Sequence, residues 1–311
     1  MTAPVNARVN VPIKVFVAAT GNAFMRDIAA AFVEAAQQLG RDAQLVDDRL
    51  PDADGSINFV VAPHEFYVLA DADPAALKRA AAASIAICTE QPATPWFHLS
   101  LDACQRGLLA FDINEHGTTA LREYGVRAER LPFGAVPSMV APGAHRADRP
   151  VAERPIDVLF MGSLDPTRGA ALAGLAPVLW NRHADLRLFP FDKPVRPDSP
   201  GVVFGAAKFD VLRSAKVLVN VHRDRSTHLP TGAEPPAYFE WVRMVEAMAN
   251  GCVVVTEPSE GFAPLVPGEY FVEATAAGMP AVIDDLLADP DRMQHIADAA
   301  RRAVTEQLPL H

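Results

Sequence analysis

Several short polar clusters in this 311-residue sequence have the residue types and spacing to hold a charged, hydroxyl-bearing ligand. The most informative is 237–257, Ala-Tyr-Phe-Glu-Trp-Val-Arg-Met-Val-Glu-Ala-Met-Ala-Asn-Gly-Cys-Val-Val-Val-Thr-Glu, which predicts a short helix running through Gly251 into a buried strand. On a 3.6-residue period Glu240, Arg243, Glu246 and Asn250 share one stripe, and Phe239, Val242, Val245 and Ala249 the other, so one face packs while the other can meet a ligand. Gly251 supplies the left-handed stop that a helix end favours, and 252–256 is the apolar run of a parallel strand buried on both faces. A carboxylate at Glu246 can accept hydrogen bonds from both hydroxyls of a ribose. The competing reading makes Glu240, Arg243 and Glu246 ion pairs at i,i+3 on a solvated face.

Upstream, Met161-Gly-Ser-Leu-Asp-Pro-Thr-Arg-Gly169 falls between a predicted strand and a predicted helix. Backbone amides and the positive end of that helix suit an anion, and Arg168 adds a guanidinium fork. The alternative is that Gly162 and Gly169 only shape the turn. The run 215–223 is a buried strand that delivers Asn220, His222 and Arg223 at its carboxyl end, where polar groups face the cleft of an open α/β fold. They could equally be hydrogen-bonded polar residues of the core. The Pro- and Gly-rich stretch 259–268 follows the next strand, and Gly261 could offer its amide to a ligand or simply make a surface turn. In the amino-terminal half, two predicted loops after strands, 62–67 and 88–96, offer His64 with Glu65, and Glu90. An imidazole, or a carboxylate raised by burial, can act as a general base. Trp96 and Phe97 could stack on a sugar ring or serve as packing.

These residues need a scaffold, and the chain is long enough for two α/β domains, each with its own core. Half the residues are hydrophobic and 21 % charged, which excludes wholesale disorder. The net charge of -10 and the lack of a dense basic run argue against nucleic acid or an anionic membrane as partner. Cys88, Cys104 and Cys252 are odd in number and in no metal-ligand spacing, so they are expected to be reduced core thiols. No secretory leader and no apolar run of about 20 residues is present. A cytoplasmic protein is expected, brought to the inner membrane face only through what it acts on.

Strand-like and helix-like patterns alternate: strands are predicted at 13–19, 43–46, 57–62, 84–88, 107–111 and 128–131, with helices at 24–39, 74–83 and 116–124. The proline-rich stretch 132–155 is the predicted linker, separating a Rossmann-like domain at 1–140 from a second at 155–311. After it, strands are predicted at 156–162, 186–189, 202–204, 217–221, 252–255 and 270–272, with a closing helix at 291–307. Such a pair of domains places a ligand cleft between the carboxyl ends of two parallel sheets.

In this order, the pieces resemble the second domain of GT-B glycosyltransferases, especially the retaining, glycogen-synthase-like group and its bacterial spore-coat-like relatives. The loop 161–169 is similar to their Gly-x-Leu…Lys/Arg-Gly phosphate loop, 201–207 to their nucleobase strand and loop, and 215–222 to the strand before the donor loop. The run 239–255 is similar to their Glu-Ala-Met-Ala-x-Gly-x-Pro-Val-Val helix and strand. The resemblance covers roughly 156–300, with its last motif the most specific.

It implies two Rossmann-like domains facing a cleft, with a nucleoside diphosphate sugar as co-substrate. Arg168 would then bind the diphosphate and Glu246 the ribose hydroxyls, with Gly205 beside the base. Gly162, Asn220, His222, Arg243 and Gly261 complete the expected donor site. Two departures stand out. Tyr238 occupies the place of a second glutamate, eight positions before the first, and Ser163 the place of a second phosphate-binding arginine. An arginine such as Arg243 before the ribose glutamate fits the spore-coat-like relatives. The resemblance implies metal-independent transfer of a hexosyl-type group to an acceptor hydroxyl on a glycan, a lipid-linked molecule or a small molecule. The acceptor would lie in the amino-terminal domain, with His64 or Glu90 as the catalytic base. Neither Asp52-Ala-Asp54 nor Asp71-Ala-Asp73 is in a credible place for a metal site. The same fold could serve a nucleotide-sugar epimerase or hydrolase, or a non-catalytic nucleotide-sugar-binding partner protein.

Overall fold

A computed structural model describes residues 11–92, 94–141, 149–190, 194–223 and 236–311. The first half alternates β1 (Ile13–Phe16), α1 (Ala23–Gln38), β2 (Ala43–Val46), β3 (Ile57–Val61), α2 (Pro63–Leu69), α3 (Pro74–Ala82), β4 (Ile85–Cys88), α4 (Pro95–Arg106), β5 (Leu109–Asp112), α5 (Glu115–Glu123) and β6 (Ala128–Arg130). Its strands form one parallel sheet in the order β2-β1-β3-β4-β5-β6. The second half runs β7 (Ile156–Ser163), α6 (Pro166–Gly174), α7 (Ala176–Trp180), β8 (Ala184–Phe189), α8 (Gly205–Ser214), β9 (Ala215–Asn220), α9 (Trp241–Ala249), β10 (Val253–Thr256), β11 (Val272–Glu273), α10 (Met279–Ala288) and α11 (Pro290–Arg302). These strands make a second parallel sheet, β11-β10-β9-β7-β8.

Both orders reverse direction once, between β1 and β3 in the first sheet and between β7 and β9 in the second. In an open α/β sheet the connections on either side of such a point diverge and leave a crevice at the carboxyl ends of the strands. Of the segments singled out above for chemistry, His64 follows β3, Glu90 and Trp96 follow β4, 161–169 lies at the end of β7, His222 and Arg223 follow β9, and Arg243 and Glu246 lie on α9, whereas 201–207 follows β8 and 259–268 follows β10.

Three expectations are corrected. The segments carrying His64 and Trp96 are helices, because Pro63 and Pro95 stand at helix starts, where the ring fixes φ and no amide hydrogen is needed. The predicted strand at 202–204 is irregular and leads into α8. And α9 begins only at Trp241, with residues 239–240 outside the helix. Gly251 ends that helix as expected, with φ +68° and a backbone so close to the buried Arg154 guanidinium that a Cβ would lie 2.7 Å from it.

The change of sheet falls between β6 and β7, in the predicted connector, of which 142–148 lie outside the described residues. One apolar cluster runs through this seam, joining Val15, Val61 and Ile87 to Phe133, Val136 and Met139 of the connector and to Leu218, Trp241 and Met244. Asn250 serves the same seam: it accepts from the Ala141 amide at 2.9 Å and donates to the Met139 carbonyl at 2.8 Å, so it faces the connector and not a ligand. Past α11, a π-helical turn (Ala303–Gln307) brings the chain end back onto the connector, with Ala135 donating to the Val304 carbonyl at 3.1 Å. Here Gly134 permits the contact, since a Cβ would lie 1.7 Å from the Leu308 carbonyl oxygen. Gly134→Ala is therefore expected to cost about 1–3 kcal/mol by overpacking, read as a lower midpoint in urea unfolding; an unchanged midpoint would mean the chain end is not held there. No helix of the described residues is long and apolar enough to cross a membrane.

Candidate functional site

A cleft of about 820 Å³ lies between the carboxyl ends of the two sheets. Its size falls within the usual range for a small-molecule site. Of the residues singled out from sequence, His64, Glu90, Gly162, Arg168, His222, Arg243 and Glu246 line it, whereas Gly205, Asn220 and Gly261 do not.

The second-sheet wall is built around Glu240. It stands just before α9 in a tight turn closed by the Trp241 amide on the Phe239 carbonyl at 2.9 Å, and its side chain lines the cleft, while Tyr238 stacks on His116 at 4.6 Å. Helical phase does not govern these two residues, yet Glu240 lines the cleft beside Arg243 and Glu246, on the stripe that spacing gave it. Its carboxylate lies 3.3 Å from Arg243 Nε, 3.6 Å from Arg168 Nη2 and 3.7 Å from His222 Nδ1. Burial works to raise this carboxyl, but Arg243, His222 and Arg168 outweigh it and hold Glu240 well below the usual carboxylate range.

Arg168 is fully buried at the first turn of α6. Its Nε donates to the Val221 carbonyl at 2.8 Å, and its Nη1 donates to Ser163 Oγ at 2.9 Å and to the Ser163 carbonyl at 3.2 Å. Ser163, where an arginine was expected, thus orients Arg168. Burial first, and then the neighbouring Arg243, lower the guanidinium to about 10, so it stays charged at neutral pH. The expected fork is mostly used by the protein, leaving Nη2 on the side of Glu240. The predicted anion cradle is also partly filled: Asp165 caps α6 by accepting the Arg168 amide at 2.9 Å.

Asn220 is sealed beneath the cleft, where it donates to Thr256 Oγ1 at 3.0 Å and accepts from Arg243 Nη1 at 2.9 Å. It positions Arg243. The His222 amide donates to Glu257 at 2.8 Å, and its buried Nε2 has no partner. The Gly261 carbonyl accepts from Trp241 Nε1 at 3.1 Å, and Gly261 itself does not line the cleft. Gly205, at φ +55°, starts α8 in open space. Its neighbours Gly201, Val202 and Val203 are the ones that line the cleft.

Glu246 lies on the same wall, deeper along α9. It accepts from Lys208 Nζ at 2.7 Å, and the ammonium also reaches Asp27 of α1 at 3.1 Å. Burial raises the Glu246 carboxyl despite Lys208. Lys208 itself is raised, because Glu246 and Asp27 overcome the effect of burial. Sequence reading missed Lys208. Its signal was a lone lysine beside Phe209 on the buried stripe of a helix, an unusual place for a cation unless it is paired.

Across the cleft, His64 Nε2 lies 3.6 Å from Glu90 Oε1, so the two alternative bases form one group. Burial lowers His64 to about 4, opposed by Glu65, and its Nδ1 is buried without a partner. Burial raises Glu90, opposed by Arg223. The Glu65 carboxylate is turned the other way, accepting both the amide and the side-chain amide of Asn22. Asn22 in turn accepts from the Val195 amide at 2.7 Å, and Phe24 packs on Phe204 at 4.8 Å, closing one side of the cleft. Opposite, Gln91 donates to the Tyr238 carbonyl at 3.3 Å and Arg130 to the Ala263 carbonyl at 2.8 Å. Of the two Asp-x-Asp triplets, Asp73 caps α3 and Asp54 pairs with Lys14.

Residues 163–308 match the family model described as glycosyl transferase-like. No curated protein matches the sequence. Among solved structures, the chain is similar to sucrose-phosphate synthase from Thermosynechococcus elongatus (14% identity, 94% of each chain, TM-score 0.59). It is also similar to HepE of Anabaena in complex with UDP-glucose (12% identity, 96% of each chain, TM-score 0.57). A Listeria monocytogenes protein assigned as a UDP-N-acetylglucosamine 2-epimerase is a further likeness (10% identity, 96% of this chain and 95% of that one, TM-score 0.54). At these identities the likeness speaks to architecture, and the shared architecture is the GT-B fold.

Proposed function

We propose that this chain, GT-B in fold and glycosyl transferase-like over residues 163–308, moves a glycosyl group from a nucleoside diphosphate sugar to an acceptor hydroxyl. The observation that carries this reading is the gathering of the Arg168, Arg223 and Arg243 guanidiniums at the cleft, with Glu240 beside Arg168 and Arg243 and Glu90 within the field of Arg223. The electrostatic influence of both Arg243 and Arg223 reaches Arg168. Guanidiniums gathered this closely in a half-buried cleft create a positive field that favours an anionic ligand. A departing diphosphate is such an anion, and fixed cations favour it most as its charge grows during bond breaking.

In this mechanism the diphosphate lies against Arg243, Arg223 and the remaining nitrogen of Arg168, with His222 Nε2 as a further donor from its unpartnered position. The ribose sits deeper, its hydroxyls donating to Glu246 while Lys208 keeps that carboxylate charged. The anomeric carbon then faces the first-sheet wall, where Glu90 takes the proton of the attacking hydroxyl and His64 holds Glu90 in place. Charge on the leaving group is met by side chains, so the reaction proceeds without an added metal, and chelator leaves the rate unchanged.

Binding tests the donor half. UDP, GDP or TDP is expected to raise the thermal midpoint of the protein, since a ligand that binds only the folded chain stabilises it. Glu246→Ala is expected to weaken that nucleotide about tenfold or more, the scale of a hydrogen bond to a charged group. Unchanged affinity removes Glu246 from the ribose site, and the absence of any nucleotide response removes the whole reading. The likeness to an epimerase supplies the rival chemistry. Incubating the donor alone separates the two, because product formed without an acceptor overturns transfer.

A further inference from the structure

One side of the cleft mouth is apolar and uncovered. Val68 (58 % exposed) and Leu69 (39 %) on α2, with Trp96 (42 %) and Leu99 (47 %) on α4, all line it. These are four of the eleven large hydrophobic residues left exposed among the described residues, and α2 packs directly on α4, so they form a patch and not a scatter. The patch adjoins His64, whose ring centroid is 6.3 Å from that of Trp96. It also continues outward. Val68 and Leu99 are shared with a smaller groove of about 200 Å³ between α2, α3 and α4, lined by Tyr67, Leu77 and Ala81 together with the charged Lys78, Asp102 and Arg106.

The donor gives this track no reason to exist, because its phosphates and ribose find their partners on the opposite wall. A purely carbohydrate acceptor could stack on Trp96 but would need hydrogen-bonding groups where Val68, Leu69 and Leu99 present hydrocarbon. A bilayer surface is a poor match for a protein of net charge -10. Resting on the glycosyl-transfer reading above, we propose that the acceptor hydroxyl is carried on a single hydrocarbon chain, which lies along Val68, Leu69, Trp96 and Leu99 while its hydroxyl end reaches Glu90. The continuity of groove, rim and reacting centre is what commits the track to the acceptor and not to an unrelated partner.

Tryptophan emission tests this whatever sugar the acceptor carries. Trp241 is buried and Trp180 almost fully exposed on α7, so in a Trp180→Phe protein Trp96 is the exposed reporter. Titration with methyl, hexyl, octyl and decyl β-glucosides, each below its micelle concentration, is expected to give a saturable blue shift whose affinity rises with chain length. The gain approaches about fourfold per methylene where the chain is fully covered. Leu99→Asp and, separately, Val68→Asp are expected to weaken octyl glucoside at least tenfold while each variant keeps its UDP-induced thermal shift, which reports folding and the donor site independently. Equal affinity for all chain lengths, a shift that appears only with micelles, or unchanged octyl glucoside binding by both variants overturns the proposal. Loss of the UDP response with chain-length dependence intact would instead overturn the donor reading and leave the groove standing.

Discussion

Glutamine in place of Glu90 is expected to slow glycosyl transfer by about 10²–10⁴-fold, the contribution of a positioned general base, while UDP affinity stays within a factor of about two of the wild-type value. The argument rests on comparing two neighbours. A base works best when its pKa approaches the working pH, and burial moves the members of this pair in opposite directions: His64 falls to about 4, while Glu90 rises above its ordinary value. An imidazole near 4 is neutral at pH 7 but a feeble proton acceptor, whereas the raised carboxylate is the stronger base. The sign for pH dependence follows. Glu90 must be ionised to act, so the rate is lost as pH falls through a carboxyl value higher than usual, and His64 contributes no inflection near the ordinary imidazole value. His64→Gln is expected to shift that acid limb, because the ring next to Glu90 changes, with a smaller loss in rate. Stopped-flow release of UDP across pH, with acceptor present, separates the roles. A Glu90→Gln enzyme of undiminished rate, or an acid limb unmoved by both substitutions, would sink the assignment.

That Glu90 and His64 meet was only half legible in the sequence. Each follows a strand of an alternating α/β pattern, and the carboxyl ends of such strands converge on one crevice, so both residues were expected at the cleft. Their separation of 3.6 Å depends on β3 and β4 being neighbours and on helices starting directly at Pro63 and Pro95, which the apolar spacing of those short segments did not reveal. The parallel sheets themselves were plain, because 217–219 and 252–255 are apolar at every position, as strands covered on both faces tend to be. The predicted strand at 202–204 failed for a related reason: three apolar residues between Gly201 and Gly205 satisfy a strand pattern, but Val202 and Val203 line the cleft and the segment runs into α8 without joining the sheet.

The donor wall shows a different limit. Helical periodicity put Glu240, Arg243 and Glu246 on one stripe, and Arg243 and Glu246 do line the cleft from α9. Periodicity could not show that the helix stops short of Glu240, nor that Glu246 meets Lys208 from α8, 38 positions earlier. Asn220 and Asn250 illustrate the same point. Both are polar residues beside segments expected to bind a ligand, and both are consumed by buried hydrogen bonds, one holding Arg243 and the other the connector. A residue's type limits which bonds it can make, but competition among nearby groups decides which it does make.

That competition is sharpest at Arg168, where the second large effect is expected. Arg168→Leu should both loosen the fold and weaken UDP by about tenfold or more, with uridine affected less. Removing the guanidinium strands the buried Val221 carbonyl and Ser163 hydroxyl, each left unsatisfied at about 1–3 kcal/mol. Glu240 keeps Arg243 and His222, so its charge is not abandoned, and the protein should still fold at reduced stability. The effect on UDP is expected because Nη2 is turned toward the cluster where the diphosphate is proposed to lie. Arg168→Lys is not expected to rescue either property, because a single ammonium cannot serve the Val221 carbonyl, Ser163 and an anion along three fixed directions. Calorimetric titration of both variants with UDP and with uridine gives the decisive comparison. Equal losses for the two ligands would leave Arg168 as a structural brace alone and move the diphosphate contacts onto Arg243 and Arg223.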